Sequence, residues 1–159
     1  MQTLIQVTPD NPAGRDAHQL IVEMVAEIPA RYGEALDATA QAERVAGIMA
    51  AQSVFLAPRS VFLIAHCNGE LAGCGALQPM ADDTAEVRRM FVRQAMRRRG
   101  GGRAILAALE QHALSFGYAR LRLETGDQQP EAMALYAAAG FARIAPFGPY
   151  VDDPTSVCF

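Results

Sequence analysis

The stretch Arg97-Arg98-Arg99-Gly100-Gly101-Gly102-Arg103 constrains this chain more than any other. Before it runs an apolar segment, Thr84–Val92. After it Ile105, Leu106, Leu109, Ala113 and Phe116 recur at helical spacing, and Gly117 follows as a left-handed cap. The order is thus strand, glycine-rich turn, helix. A helix start presents unpaired N–H groups and the positive end of the helix dipole. Glycines let an anion approach that backbone, so the combination suits a pyrophosphate. It is not a G-x-x-x-x-G-K-[ST] loop, and Ile105 breaks a G-x-G-x-x-G pattern. For the loop alone, a solvated basic turn capped by glycines is the lesser alternative.

The charge pattern favours an anion site. All 14 basic residues are Arg, and the total charge is −3. Residues 88–103 hold seven Arg and no acid, whereas residues 1–87 are net −7 and residues 104–159 net −3. A protein that coats nucleic acid is usually basic throughout, so one basic stretch in an acidic chain points to a discrete anion.

The rest of the chain reads as a mixed α/β domain. Residues 3–8 form a first strand. Asn11-Pro12 offers a helix cap and first helical position, and a helix follows with Ala17, Leu20, Ile21, Met24, Val25 and Ile28 on one face, stopping at Pro29. A second helix carries Ala42, Val45, Ile48 and Met49 and ends before Pro58. Val61–His66 and Leu71–Leu77 are strands around an Asn68-Gly69 hairpin turn. Ala119–Thr125 alternates as a strand, Pro130 opens a short helix to Ala139, and Phe141–Ala145 and Ser156–Phe159 are final strands. Strands 84–92 and 119–125 flank a helix, so they pair in parallel by crossover.

At 159 residues a single domain, 1–159, is expected, with about 70% of its unfolded surface buried. No apolar run approaches the ~20 residues of a membrane span, and residues 1–20 lack a basic segment followed by an apolar one. Cys67, Cys74 and Cys158 are odd in number and not in C-x-x-C spacing, which argues against a disulfide framework or a zinc site and for a reducing, cytoplasmic setting. His18, His66 and His112 share no metal spacing, so no metal is expected.

Three segments in order carry a resemblance. Glu86–Arg103, the helix after it, and Gln129–Phe141 together resemble the GNAT superfamily of acetyl-CoA-dependent N-acetyltransferases. The family pattern [RQ]-x-x-G-x-[GA] is matched by Arg97, Gly100 and Gly102; its M-x-V strand end by Met90-Phe91-Val92; its N-x-x-A-x-x-x-Y-x-x-x-G-F by Gln129, Ala132, Tyr136, Gly140 and Phe141. Gln129 departs from the usual Asn, and the last strand, ending at Phe159, is short.

The resemblance implies a mostly antiparallel sheet with a central, splayed parallel pair flanked by helices. It implies that acetyl-CoA is the co-substrate, with pyrophosphate on the loop from Arg98 and Arg99 through Gly101 to Arg103. The pantetheine arm would lie along Met90–Val92, with a backbone N–H near Met90 or Phe91 facing the thioester carbonyl as an oxyanion hole. Tyr136 matches the family tyrosine near the sulfur and is expected to protonate the leaving thiolate. Glu86, four residues before Met90, would share its face by period-2 alternation and act as general base, or merely pair with a nearby Arg. Arg31, Tyr32 and Tyr150 fall in segments that wall the acceptor pocket in the family.

The acceptor is expected to be a primary amine on a small molecule or peptide, with no nucleic acid or membrane partner and a possible homodimer through the last strand's edge. Acids of residues 1–87, including Glu34, Asp37, Asp82 and Asp83, are expected to favour a cationic or neutral amine. Two other classes stay open: a catalytically silent acyl-CoA sensor, disfavoured by Glu86 and Tyr136 occurring together, and a nucleic-acid-binding domain using the Arg run, disfavoured by the acidity elsewhere.

Overall fold

The computed structural model describes residues 2–159. Its sheet has six strands in chain order: β1 (Ile5–Pro9), β2 (Val61–Cys67), β3 (Glu70–Ala81), β4 (Thr84–Val92), β5 (Arg120–Gly126) and β6 (Ser156–Cys158). All neighbours are antiparallel except β4 and β5, which run parallel. Four helices flank it: α1 (Arg15–Arg31), α2 (Ala38–Ala51), α3 (Gly101–Ser115) and α4 (Pro130–Ala138).

Every residue of β2 but His66 is buried, because both faces of the sheet are covered. Leu63 and Ala65 join Leu77, Val87, Ile105, Leu106 and Leu109 on the α3 face. Phe62 and Ile64 join Leu20, Ala76 and Phe91 on the α1 face. The apolar stripe expected of α3 is therefore its buried side. The β2–β3 hairpin turns at Asn68 and Gly69, whose φ values of 51° and 85° are those of a primed turn. Asp37 caps α2 by accepting from the Ala40 N–H at 2.8 Å, an interaction typically worth ~1 kcal/mol.

Three expectations need correction. α1 begins at Arg15, not Pro12. Asn11 closes a turn by accepting from Gly14 N–H, and Pro12 is buried within it, its carbonyl accepting from Gln52 Nε2 at 2.8 Å. Nor does Pro29 stop α1, which runs to Arg31. A proline so near the end costs one hydrogen bond, its buried ring packs, and its carbonyl accepts from Tyr32 and Glu34 before Gly33 turns the chain away at φ 72°. Phe141–Ala145 is no strand. It makes a single bridge, Ile144 to Cys158, ahead of Pro146, which has no N–H to extend a ladder.

Candidate active site

The site forms where β4 leaves β5. Parallel pairing starts at Thr84 with Arg120 and ends at Val87 with Leu123, while β4 continues to Val92 and β5 to Gly126. In the same stretch the register with β3 slips. Cys74 faces Phe91 and Ala76 faces Arg88, so Gly75 alone spans Arg89 and Met90. This is a β-bulge, with Arg89 in the left-handed region at φ 58°. Glycine at 75 is required there: an added Cβ would lie 2.5 Å from Ile105 Cγ2 and 2.9 Å from Met90 Sδ.

The bulge overturns the expectation that Glu86 and Met90 share a face. Arg88 stands opposite Ala76 on the α1 face, and Glu86, two residues earlier, points the same way. Met90 packs with Ile105 on the α3 face. Strict alternation fails because one extra residue shifts everything after it.

Two cavities meet at the splay. The larger, about 940 Å³, follows the Arg/Gly loop and the end of β4, and is called here the loop cavity. The smaller, about 440 Å³, lies among α1, α2, β4 and β5, and is called the inner cavity. Ile28, Met90, Gln129, Ala132 and Tyr136 line both.

In the loop cavity Gly100, at φ 86°, turns the chain into α3. The amides of residues 98–103 find no acceptor among the described residues. Gly102 leaves room that a Cβ would fill, 3.2 Å from Leu135. Arg98 and Arg103 line the cavity and form no ion pair among the described residues. The sequence-predicted arginines do not act alike, however. Arg97 turns back to α1, its Nη2 2.6 Å from Glu27 and its Nε donating to the Val92 carbonyl at 2.9 Å. Arg99 turns toward Met96 Sδ and does not line the cavity. Arg31, paired with Glu131 and Glu27, braces the same rim from α1. The loop thus offers free amides, two free cations and a glycine cradle, a set that fits a pyrophosphate.

Tyr136 is 4% exposed, its ring against Phe141 and Phe159. Its hydroxyl forms no hydrogen bond among the described residues, and the residue lines both cavities. Burial first, and then the Glu124 carboxylate, raise its pKa, so the hydroxyl holds its proton at any ordinary pH.

Glu86 lies behind the inner cavity rather than on its wall. Its Oε1 accepts from Gln78 at 3.1 Å and Arg88 at 3.3 Å, and its Oε2 from the Tyr150 hydroxyl at 3.2 Å. The carboxylate that lines the cavity is Glu124 on β5, which the sequence reading passed over. Desolvation raises its pKa, opposed by a hydrogen bond from Ser156. The signal was available in the sequence: Glu124 is the lone acid in a strand running alongside β4, twelve positions before Tyr136.

Tyr32 and Tyr150 line the inner cavity, as the resemblance implied, whereas Arg31 lines the loop cavity. The acids expected to wall the inner cavity do not. Glu34 pairs with Arg44, Asp37 caps α2, and Asp82 and Asp83 form the β3–β4 turn. Its charged lining is instead Arg44, Arg88, Arg89 and Glu124.

The fold is that of solved acyltransferases, and the chain matches the Acetyltransferase (GNAT) family over residues 22–141. It belongs to that family. Among its relatives is the IAA acetyltransferase of Azospirillum brasilense, 44% identical over 100 residues, which cover 60% of this chain and 63% of that enzyme's length. A candidate acyl-CoA N-acyltransferase of Klebsiella pneumoniae superposes with a TM-score of 0.75 at 29% identity, covering 98% of this chain and 94% of that one. The PaiA N-acetyltransferase of Thermoplasma acidophilum, solved with coenzyme A, shares the fold at a TM-score of 0.74 and 15% identity, over 98% and 96% of the two chains.

Proposed function

We propose that residues 1–159 act as one domain that transfers the acetyl group of acetyl-CoA to a primary amine by direct attack, with both molecules bound. The observation that carries this is Tyr136, which lines both cavities and whose hydroxyl forms no hydrogen bond among the described residues. A proton donor at such a junction suits a leaving thiolate.

Acetyl-CoA supplies an activated acyl carbon and a thiol leaving group. The amides of residues 98–103, with Arg98 and Arg103, hold its pyrophosphate; Arg97 keeps the loop in shape through Glu27. A backbone N–H at Met90 or Phe91, beyond the last β4–β5 pair, would face the thioester oxygen and hold the negative charge that grows there. Gln129 closes the junction in place of the family's Asn. Glu124 takes the proton from the attacking amine. Its raised pKa, a consequence of burial, makes it a better base than an exposed carboxylate. Glu86 orients Arg88 and Tyr150 from behind. Tyr136 gives its proton to the sulfur.

Calorimetric titration with coenzyme A, followed by thiol release from acetyl-CoA across a panel of primary amines, tests the reading. Binding with amine-dependent release is expected. Tight binding with no release for any amine would make the chain an acyl-CoA sensor, and no binding at millimolar coenzyme would remove the reading altogether.

A further inference from the structure

The inner cavity holds a cation that the chemistry above does not use. Arg89 sits at the bulge, partly buried, and lines the cavity. Its Nε donates to Gln52 Oε1 at 2.9 Å, and its guanidinium lies 5.5 Å from the Phe55 ring centre. Gln52 is fully buried and is itself fixed by the Pro12 carbonyl. The guanidinium is therefore held in one orientation. Among the described residues it pairs with no carboxylate, and nothing accepts from Nη1 or Nη2. Neighbouring Arg88 adds positive charge, offset on its far side by Glu86. Burial, and then Arg88, lower the pKa of Arg89, the mark of a cation without a compensating anion.

A partly buried guanidinium is costly to leave unpaired, and its fork geometry matches a carboxylate. The remaining walls are apolar: Met24, Val25 and Ile28 from α1, and Ile48 from α2. Glu124 and Tyr136 supply the reacting end.

We propose that the acceptor is an amine that also carries a carboxylate and an apolar body, as apolar amino acids do, with Arg89 binding the carboxylate. This deepens the acetyltransferase reading and rests on it. A small zwitterion of this kind fits a cavity of about 440 Å³. Its two charges would be answered at Arg89 and Glu124, and its side chain by the α1–α2 wall.

The test compares matched pairs that differ only at the carboxylate: L-phenylalanine with L-phenylalaninamide, and L-methionine with L-methioninamide. For the wild-type protein kcat/KM should be at least about tenfold higher for each acid than for its amide. Arg89→Gln should erase that preference with coenzyme A affinity unchanged, and Arg89→Lys should keep part of it. Equal rates, or a preference for the amides, in the wild-type protein would overturn the proposal whether or not the variants fold. If coenzyme A binds but no amine releases thiol, the acetyltransferase reading fails by itself. Calorimetry on the coenzyme complex then decides the anion site: L-phenylalanine binding without binding of the amide supports it, and binding of neither or both overturns it.

Discussion

The Tyr150 hydroxyl donates to Glu86 Oε2 at 3.2 Å, tying the segment after α4 to the middle of β4. Tyr150 lines the inner cavity and Glu86 does not, so the tyrosine screens the carboxylate. Burial, and the Glu86 and Glu124 carboxylates against the pull of Arg88, push the Tyr150 pKa up to about 12. It is a hydrogen-bond donor throughout any assay range. Tyr150→Phe removes that bond and should lower the melting temperature by several degrees, a hydrogen bond to a charged group being worth about 1.5–3 kcal/mol. The shape of the pH–rate profile should not change; thermal melts and steady-state rates from pH 6 to 9 check the two.

Glu124 gives a prediction with a sign. Its folded-state pKa is raised, chiefly by desolvation. As a base it works only when ionised, so kcat should climb as pH rises through a value above the ordinary carboxylate range. Glu124→Gln should abolish that limb and cut kcat about 100-fold or more. Glu86→Gln should leave the limb in place; its loss there would reassign the base.

The same shift acts on stability. A carboxyl whose pKa is raised by folding contributes stability that is present below its unfolded pKa and lost as pH rises through the folded one. Glu124→Gln should therefore melt at a higher temperature than the wild-type protein at pH 7, and no higher at pH 3.5. Scanning calorimetry at the two pH values would show it. A lower melting temperature at pH 7 would mean that the ionised carboxylate is held favourably.

Tyr136→Phe keeps the ring contacts with Phe141 and Phe159 and removes only the hydroxyl. Turnover should fall about 100-fold while coenzyme A affinity stays within a factor of two or so, because protonation of the sulfur matters only in the transition state. Single-turnover rates beside calorimetric affinities separate the two.

Gly102→Glu should fold and lose coenzyme A binding by roughly 100-fold or more, since it brings a carboxylate to the anion cradle. Its Cβ would meet Leu135 at 3.2 Å, a contact that a small side-chain shift relieves. Thermal melting establishes the fold and titration the loss. Gly47→Glu, exposed on α2 with open space around it and ordinary helical backbone, is a control for added charge.

Much of this was legible in the chain. The Arg/Gly loop between a strand and a helix pointed to the loop cavity because glycine, cation and helix start leave local marks. The stripe of Ile105, Leu106, Leu109 and Ala113 identified the face of α3 for the same reason. Glu86 illustrates what was hidden. Its role rested on unbroken alternation, and a bulge opposite Gly75 has no mark of its own in Glu86–Met90. Arg97 illustrates another limit. Nothing in three consecutive arginines says which one reaches back to Glu27, seventy residues away, and which face the cavity. The expected wall of acids failed likewise, because net charge over 87 residues carries no address: Glu34 and Asp37 are spent on Arg44 and on a helix cap.

The five residues shared by the two cavities also bear on inhibition. Each cavity has walls of its own, and their common ground is the junction bounded by Ile28, Met90, Gln129, Ala132 and Tyr136. A ligand resting in one leaves most of the other untouched. A compound built to fill both must therefore be a dumbbell: an anionic end for the loop, a compact end for the inner chamber, and a tether that runs between those five side chains. The tether, and not either end alone, would then decide whether such a compound excludes donor and acceptor together.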